Sequence, residues 1–320
     1  ANGDLSIFKN NDKYIGQSTL TIDNITANNT NIGSAVLELK ASDDSKEIEL
    51  DFRLVKDYKK IIILDGSFSI EDQYYPLDLN LSTYNFDIAP FSGIGKNVIN
   101  DFNGDFNSNI NITGNSSNPV FKGLINTQNV SFKIPYLNVR YDIENNSSFI
   151  LNDQSFLIDD FKIFNKKTET NGILTGKISH NLFKDWFLEL DINSENLLIL
   201  DTNQSDNELY YGKGMFNGNT IVYGPGDNLL IKLSGSTNKG TSLVIPVNES
   251  KNIGNLKFIN FIDPNSNEDK RLKKKKSLLV DLDINFNPNA NLEVIFDTDS
   301  ESKITGYGNG NLNFKINYYA

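Results

Sequence analysis

Between Phe102 and Gly114 the chain reads FNGDFNSNINITG. Its even positions (Phe102, Gly104, Phe106, Ser108, Ile110, Ile112 and Gly114) are apolar or small. Its odd positions (Asn103, Asp105, Asn107, Asn109, Asn111 and Thr113) are polar. Side chains alternate faces along a strand, so this segment has one oily and one wet face. A helix is excluded, because period 2 scatters the apolar residues around a 3.6-residue turn. The following Asn115-Ser116-Ser117-Asn118-Pro119 is turn chemistry, and a new strand is predicted over 120–125.

The same alternation predicts strands over 5–8, 19–25, 35–40, 48–55, 61–70 and 77–88. Further strands are expected over 129–134, 137–143, 148–151, 156–164, 172–179, 186–193 and 197–200. The series closes with 211–224, 229–233, 241–247, 278–286, 292–296 and one last strand over 304–318. The polar stretch Ser42-Asp43-Asp44-Ser45 joins two of these into a hairpin. Two segments break the rhythm. Residues 91–99, with Gly93 and Gly95, predict a helical turn or bulge, and residues 249–277 read as a long excursion. Roughly twenty strands without a helix, with turn signals at short spacing, indicate an all-β fold of mostly antiparallel strands.

Chemistry adds little to that pattern. The 320 residues carry a formal net charge of -11 with a pI near 4.7, which argues against nucleic acid as a general partner. No Cys is present, so disulfides and thiolate metal sites are excluded. The single His, His180, is expected to be a strand-end residue in water, which leaves no Ser/His/Asp constellation. The carboxylate pairs Asp43-Asp44 and Asp159-Asp160 read as turn or edge charges rather than a glycosidase pair. Tyr223-Gly224-Pro225-Gly226-Asp227 lacks the Lys-Ser/Thr of a phosphate loop. No catalytic residue, cofactor or metal site is therefore expected. No apolar run approaches the ~20 residues of a membrane helix, and Ala1 in place of an initiator Met suggests a processed chain or a fragment. The run Lys270, Arg271, Lys273, Lys274, Lys275 and Lys276 reads as a solvated loop or a contact for anionic head groups or an acidic partner.

Six glycines (Gly104, Gly114, Gly176, Gly306, Gly308 and Gly310) fall on the apolar side of their strands. That fits a sheet curved tightly towards that side, where bulky residues would collide. An apolar sheet face must fold over, close, or hold something oily. The positions that would line it are Phe102, Phe106, Ile110, Ile112, Leu174, Ile178, Trp186, Leu188, Leu190 and Ile192, then Val280, Leu282, Ile284, Phe286, Leu312, Phe314 and Ile316.

Several stretches carry a family resemblance. Phe102-Asn103-Gly104 through Ile112-Thr113-Gly114, Pro119 and Gly123-Leu124-Ile125 form the first. Tyr211-Gly212-Lys213-Gly214 with Gly218 and Tyr223-Gly224-Pro225, and Thr241-Ser242-Leu243-Val244-Ile245-Pro246-Val247, follow. Asn287-Pro288-Asn289-Ala290, Phe296-Asp297 and Ile304-Thr305-Gly306-Tyr307-Gly308-Asn309-Gly310 complete the order. Over roughly residues 90–318 the chain resembles the C-terminal region of the TamB family of bridge-like, AsmA-like lipid transport proteins. The resemblance implies a long folded single sheet, the β-taco, with an apolar groove. It divides the chain into N-terminal strand repeats of the same groove (1–90) and a TamB-like region (91–320). It implies a non-catalytic, envelope-spanning protein of Gram-negative bacteria, located in the periplasm and anchored to the inner membrane by a segment missing here. It further implies phospholipid acyl chains and a TamA-like outer-membrane assembly barrel as partners, in lipid transport or outer-membrane protein assembly. The same alternation also fits an outer-membrane β-barrel or a secreted β-solenoid adhesin.

Overall fold

The structure, a computed structural model, describes residues 2–10, 13–41, 46–72, 74, 76–91, 100–206, 210–246, 277–297 and 302–319. Among these residues there are twenty strands, two short 3-10 turns (Ala89–Phe91 and Pro135–Leu137) and no α-helix. Hydrogen-bond connectivity assigns the strands to one mostly antiparallel sheet. The chain divides into two compact units, residues 1–135 with 140–192 and residues 136–139 with 193–320.

In the first unit, β1 (Asn2–Asn10), β2 (Lys13–Ala27), β3 (Thr30–Ala41), β4 (Glu47–Lys56), β5 (Lys59–Ser69), β6 (Leu77–Asp87), β7 (Asn100–Asn115) and β8 (Asn118–Ile134) pair in succession, all antiparallel. β9 (Val139–Ile143) contributes Asp142 and Ile143 to the edge of β11 (Ser155–Asn165). β10 (Ser148–Asn152) continues the series from β8 to β11, and β11 pairs with β12 (Thr170–Asn181). The register lines up one apolar row: Leu20, Leu37, Phe52, Leu64, Leu81, Ile110, Gly123, Leu151, Phe156 and Ile178 stand opposite one another in turn. One residue along, on the other face, the row is Thr19, Glu38, Asp51, Asp65, Asn80, Asn111, Lys122, Asn152, Ser155 and Ser179. A register slip of one residue would invert both faces, so the alternation itself pins each pairing.

β13 (Lys184–Thr202) begins in the first unit and ends in the second. In the second unit, β14 (Tyr211–Pro225) pairs along its later half with β15 (Asn228–Thr237) and along its start with β16 (Ser242–Pro246). β17 (Ser277–Phe286) runs parallel to β15, and β18 (Asn291–Asp297) runs parallel to β16. β18 pairs antiparallel with β19 (Ser302–Tyr307), and β17 with β20 (Gly310–Tyr319). The parallel ladders require a long connection between β16 and β17. Of the excursion expected over 249–277, residues 249–276 lie outside the described residues.

Three boundaries differ from the alternation pattern. Residues 120–125 and 129–134 are one strand, because Asn129 takes a left-handed conformation (φ 53) and donates its N–H to Asn145 Oδ1 at 2.7 Å, so a bulge replaces the expected turn. Residues 186–193 and 197–200 likewise join as β13. Conversely, 304–318 is two strands, and the break at 308–309 lies beside the turn Asn287–Ala290 between the partner strands β17 and β18. Of the expected helical turn or bulge at 91–99, residues 92–99 lie outside the described residues; the 3-10 turn Ala89–Phe91 precedes them. The Asp43-Asp44 pair also lies outside them.

Candidate functional site

The apolar face changes character along the first unit. On β2 to β5, Leu20, Leu37, Phe52 and Leu64 are only half-buried. From β7 onward the face closes: Ile110 is 6% exposed, and Phe121, Ile125 and Leu151 are buried with it. Leu81, Phe106, Ile112, Phe149 and Phe156 pack against that cluster. Phe106 and Phe149 lie edge to face at 6.4 Å, as do Phe149 and Phe161 at 4.7 Å, a favoured aromatic geometry. The face is thus half-buried along the Leu20–Leu64 row of β2 to β5, beside the buried pair Ala35 and Leu54, and is a packed core over β7 to β12.

Glycine sets how closely neighbouring strands approach. At Gly176 (φ 139) an added Cβ would sit 2.1 Å from the Glu189 carbonyl oxygen and 2.9 Å from Leu190 Cα. At Gly66 (φ 140) it would meet the Asp78 carbonyl oxygen at the same 2.1 Å. Both positions combine a backbone conformation that side chains disfavour with main-chain contact on the apolar side. Gly104 and Gly114 are crowded in the same way, whereas Gly306, Gly308 and Gly310 have open space around them. The collision argument therefore holds for the first group and not for the last three.

The structure places Phe102, Phe106, Ile110, Ile112, Leu174 and Ile178 on this face of the first unit, and Phe102 meets Phe106 edge to face at 6.2 Å. Leu174 is buried opposite Phe161. Trp186 stacks on Phe156 at 6.2 Å, Leu190 lies across from Gly176, and Leu188, Leu190 and Ile192 are half-buried. In the second unit Val280, Leu282 and Ile284 stand opposite Ile231, Leu233 and Gly235 on one side, and opposite Ile316, Phe314 and Leu312 on the other. Leu282 and Phe286 pack against the buried cluster of Phe216, Leu233 and Ile284. The run Lys270, Arg271, Lys273, Lys274, Lys275 and Lys276 lies outside the described residues.

One expectation is overturned. His180 is not a strand-end residue in water: it is 6% exposed, among Phe156, Phe183 and Trp186 with ring centroids 5.4, 4.5 and 5.1 Å away. It is the penultimate residue of β12, where the Asn181–Phe183 stretch turns back over its ring, so a residue near a strand end is covered by its own hairpin. Burial lowers its pKa, and Asp153 opposes that shift. The apolar face of each unit also extends beyond the residues singled out by motif. Leu20, Leu37, Phe52 and Leu64 belong by register to that of the first unit, and Leu229, Ile231 and Leu233 to that of the second. The same alternation runs through their strands and could have identified them.

The opposite face is polar and charged. Arg53 clasps Asp51 and lies 3.7 Å from Glu38, and the Asp51 contact raises its pKa. Arg53 thus relieves Glu38 and Asp51, which stand directly opposite each other on β3 and β4. Asparagine amides link neighbouring strands: Asn111 to Asn80 at 3.4 Å, Asn107 to Asn85 at 3.3 Å. Among the described residues no cluster of His, Cys, Asp or Glu could hold a metal, and no helix is long and apolar enough to cross a membrane.

Comparison with known proteins adds one match. Residues 160–319 match the TamB C-terminal domain. No curated protein and no solved structure matches the chain. The match takes in β12 to β20 and the second unit's apolar face from β14 to β20. The chain therefore belongs to the TamB family, whose members are transport and assembly proteins of the cell envelope that work with an outer-membrane partner.

Proposed function

We propose that this chain is a non-catalytic carrier whose apolar sheet faces hold phospholipid acyl chains in transit between the inner and outer membranes. The observation that carries the reading is the half-buried row Leu20, Leu37, Phe52 and Leu64, which crosses four paired strands on one face while its other face is polar. Such a row leaves apolar area in water unless something oily covers it. At ~0.8 kcal/mol per buried CH₂, half an acyl chain would be held usefully. In this reading residues 1–90 are repeats of the same groove, and Leu282, Ile284 and Leu312 offer an equivalent face in the second unit. The chain works in the periplasm, tethered to the inner membrane, and delivers to a TamA-like barrel. Aid to outer-membrane protein assembly would follow from the same association.

The test places a photoreactive residue at Phe52 or Leu64, and at Asp51 or Asp65, and crosslinks in cells. Phospholipid adducts from the first pair alone support the carrier. Adducts from both faces, or from neither, overturn it.

A further inference from the structure

The turn between β12 and β13 is strained. Leu182 and Phe183 both have positive φ, 49 and 59 degrees. A two-residue hairpin turn of this kind normally takes Asn-Gly, and a bulky residue is strained there; the Asp57-Tyr58 turn carries the same strain with Tyr58 fully exposed, whereas the Leu182-Phe183 turn is tied down. Two hydrogen bonds do the holding. Leu182 N–H donates to Gln154 Oε1 at 3.1 Å, and Phe183 N–H donates to His180 Nδ1 at 3.1 Å. The Phe183 ring then lies flat on the imidazole, 4.5 Å away and 18 degrees from parallel, and touches Phe121 edge-on at 5.6 Å. Phe183 remains 52% exposed, so it covers the aromatic cluster from outside.

We propose that the Leu182-Phe183 tip is an acid-released lid over the aromatic end of the first unit's apolar face, with His180 as its latch. This rests on the carrier reading above for its purpose, though not for its physics. Because Nδ1 accepts from Phe183, neutral His180 carries its proton on Nε2, a buried atom with no hydrogen-bond partner. A second proton must go to Nδ1, where it would face the Phe183 N–H, donor against donor. The latch then fails, and only the Leu182 bond to Gln154 and the Phe183 ring contacts are left to hold the strained tip. The open tip exposes the imidazole and binds the proton better, so acid drives opening. The window starts near the ordinary histidine value of about 6.5, and opening grows by up to about tenfold per pH unit below it. Asp153, in the β10–β11 turn, is the charged group that acts on His180, and it favours protonation. Lys122 on β8 and Lys184 and Asp185 on β13 are exposed.

The experiment uses the 320-residue chain from about pH 8 to about pH 5. The imidazole of the single His is followed by NMR, amide exchange is followed over residues 180–186, and the emission of the single Trp, Trp186, is recorded. Uptake of pyrene-labelled phosphatidylcholine, whose head group keeps its charge over this range, reports access. The lid predicts that protection at Phe183 falls about tenfold or more with His180 titration, that Trp186 emission changes with it, that β7 and β8 amides hold, and that uptake quickens. Phe183→Gly suits the turn and removes the ring, so its uptake should be fast at every pH. His180→Phe should be open and flat with pH. The lid is overturned if Phe183 protection ignores His180 titration, if His180→Phe keeps the pH response, or if β7 and β8 lose protection together with the tip. A responsive tip with no probe uptake at any pH, in wild type and Phe183→Gly alike, overturns the carrier reading and leaves the lid. Uptake with a pH-flat tip does the reverse.

Discussion

Asn287 donates its side-chain amide to the main-chain carbonyl of Thr237, and its own N–H donates to Thr237 Oγ1 at 3.2 Å. These contacts stack the turn Asn287–Ala290 on the turn Asn238–Thr241, and Asn291 N–H donates to the Thr241 carbonyl at 2.9 Å. Asn238 repeats the arrangement one row earlier, donating to the Glu195 carbonyl at 2.6 Å. The β15–β16, β17–β18 and β19–β20 rows therefore break side by side, next to the continuous strands β13 and β14. An asparagine side chain meets the carbonyl that the interrupted ladder leaves open.

Asn287→Ala removes that donor and orphans a half-buried carbonyl. We expect a loss of about 1–2 kcal/mol, read as a lower urea midpoint with an unchanged slope. Asn287→Asp, which keeps the shape and loses the donor, should lose at least as much. A midpoint unmoved by both would show that water replaces the bond.

Gly176→Val sets a side chain against the Glu189 carbonyl in a conformation it disfavours, and should cost about 3 kcal/mol or more. Gly308→Ala meets nothing within 4 Å and should stay within about 0.5 kcal/mol. Thermal melts of the two variants should separate clearly, and equal melts would rule out close strand approach at Gly176.

Arginine scanning distinguishes the half-buried row from the packed core. Ile110→Arg buries an unpaired charge in a closed cluster and should cost about 4 kcal/mol or more, enough to lose folded protein. Leu64→Arg, on the half-buried stretch, can extend its head to water and should cost about 1 kcal/mol while reducing lipid crosslinking. Asn111→Arg, on the wet face, should change neither. Equal damage from Leu64→Arg and Ile110→Arg would mean that the first strands are packed as tightly as β7 and β8.

Asp105 stands opposite Asp87, and burial, then the Asp87 charge, raises its pKa. A carboxyl whose pKa is higher folded than unfolded binds protons better in the folded state, so stability falls as pH rises through that window. Asp105→Asn should therefore raise the urea midpoint at neutral pH and lose that advantage below about pH 4, where both states of the wild type are protonated. An advantage that persists in acid would assign the effect to packing instead.

The two faces of the sheet were legible in the chain alone. Alternation is a local property, so FNGDFNSNINITG specifies a strand with Ile110 inward and Asn111 outward whatever lies beside it. The acidic wet face, the absence of thiol chemistry and the family resemblance needed no coordinates either. Pairing and depth came only with the tertiary structure. Asn129 could end a strand or bulge it, and the Asn145 acceptor that decides between them lies in another segment. Leu64 and Ile110 read alike along the chain, yet the first is half-buried and the second closed in, because burial depends on rows several strands away. His180 looked like a wet strand end. It became a buried latch when a strained two-residue turn folded Phe183 over its ring, since no sequence period encodes what a hairpin tip covers.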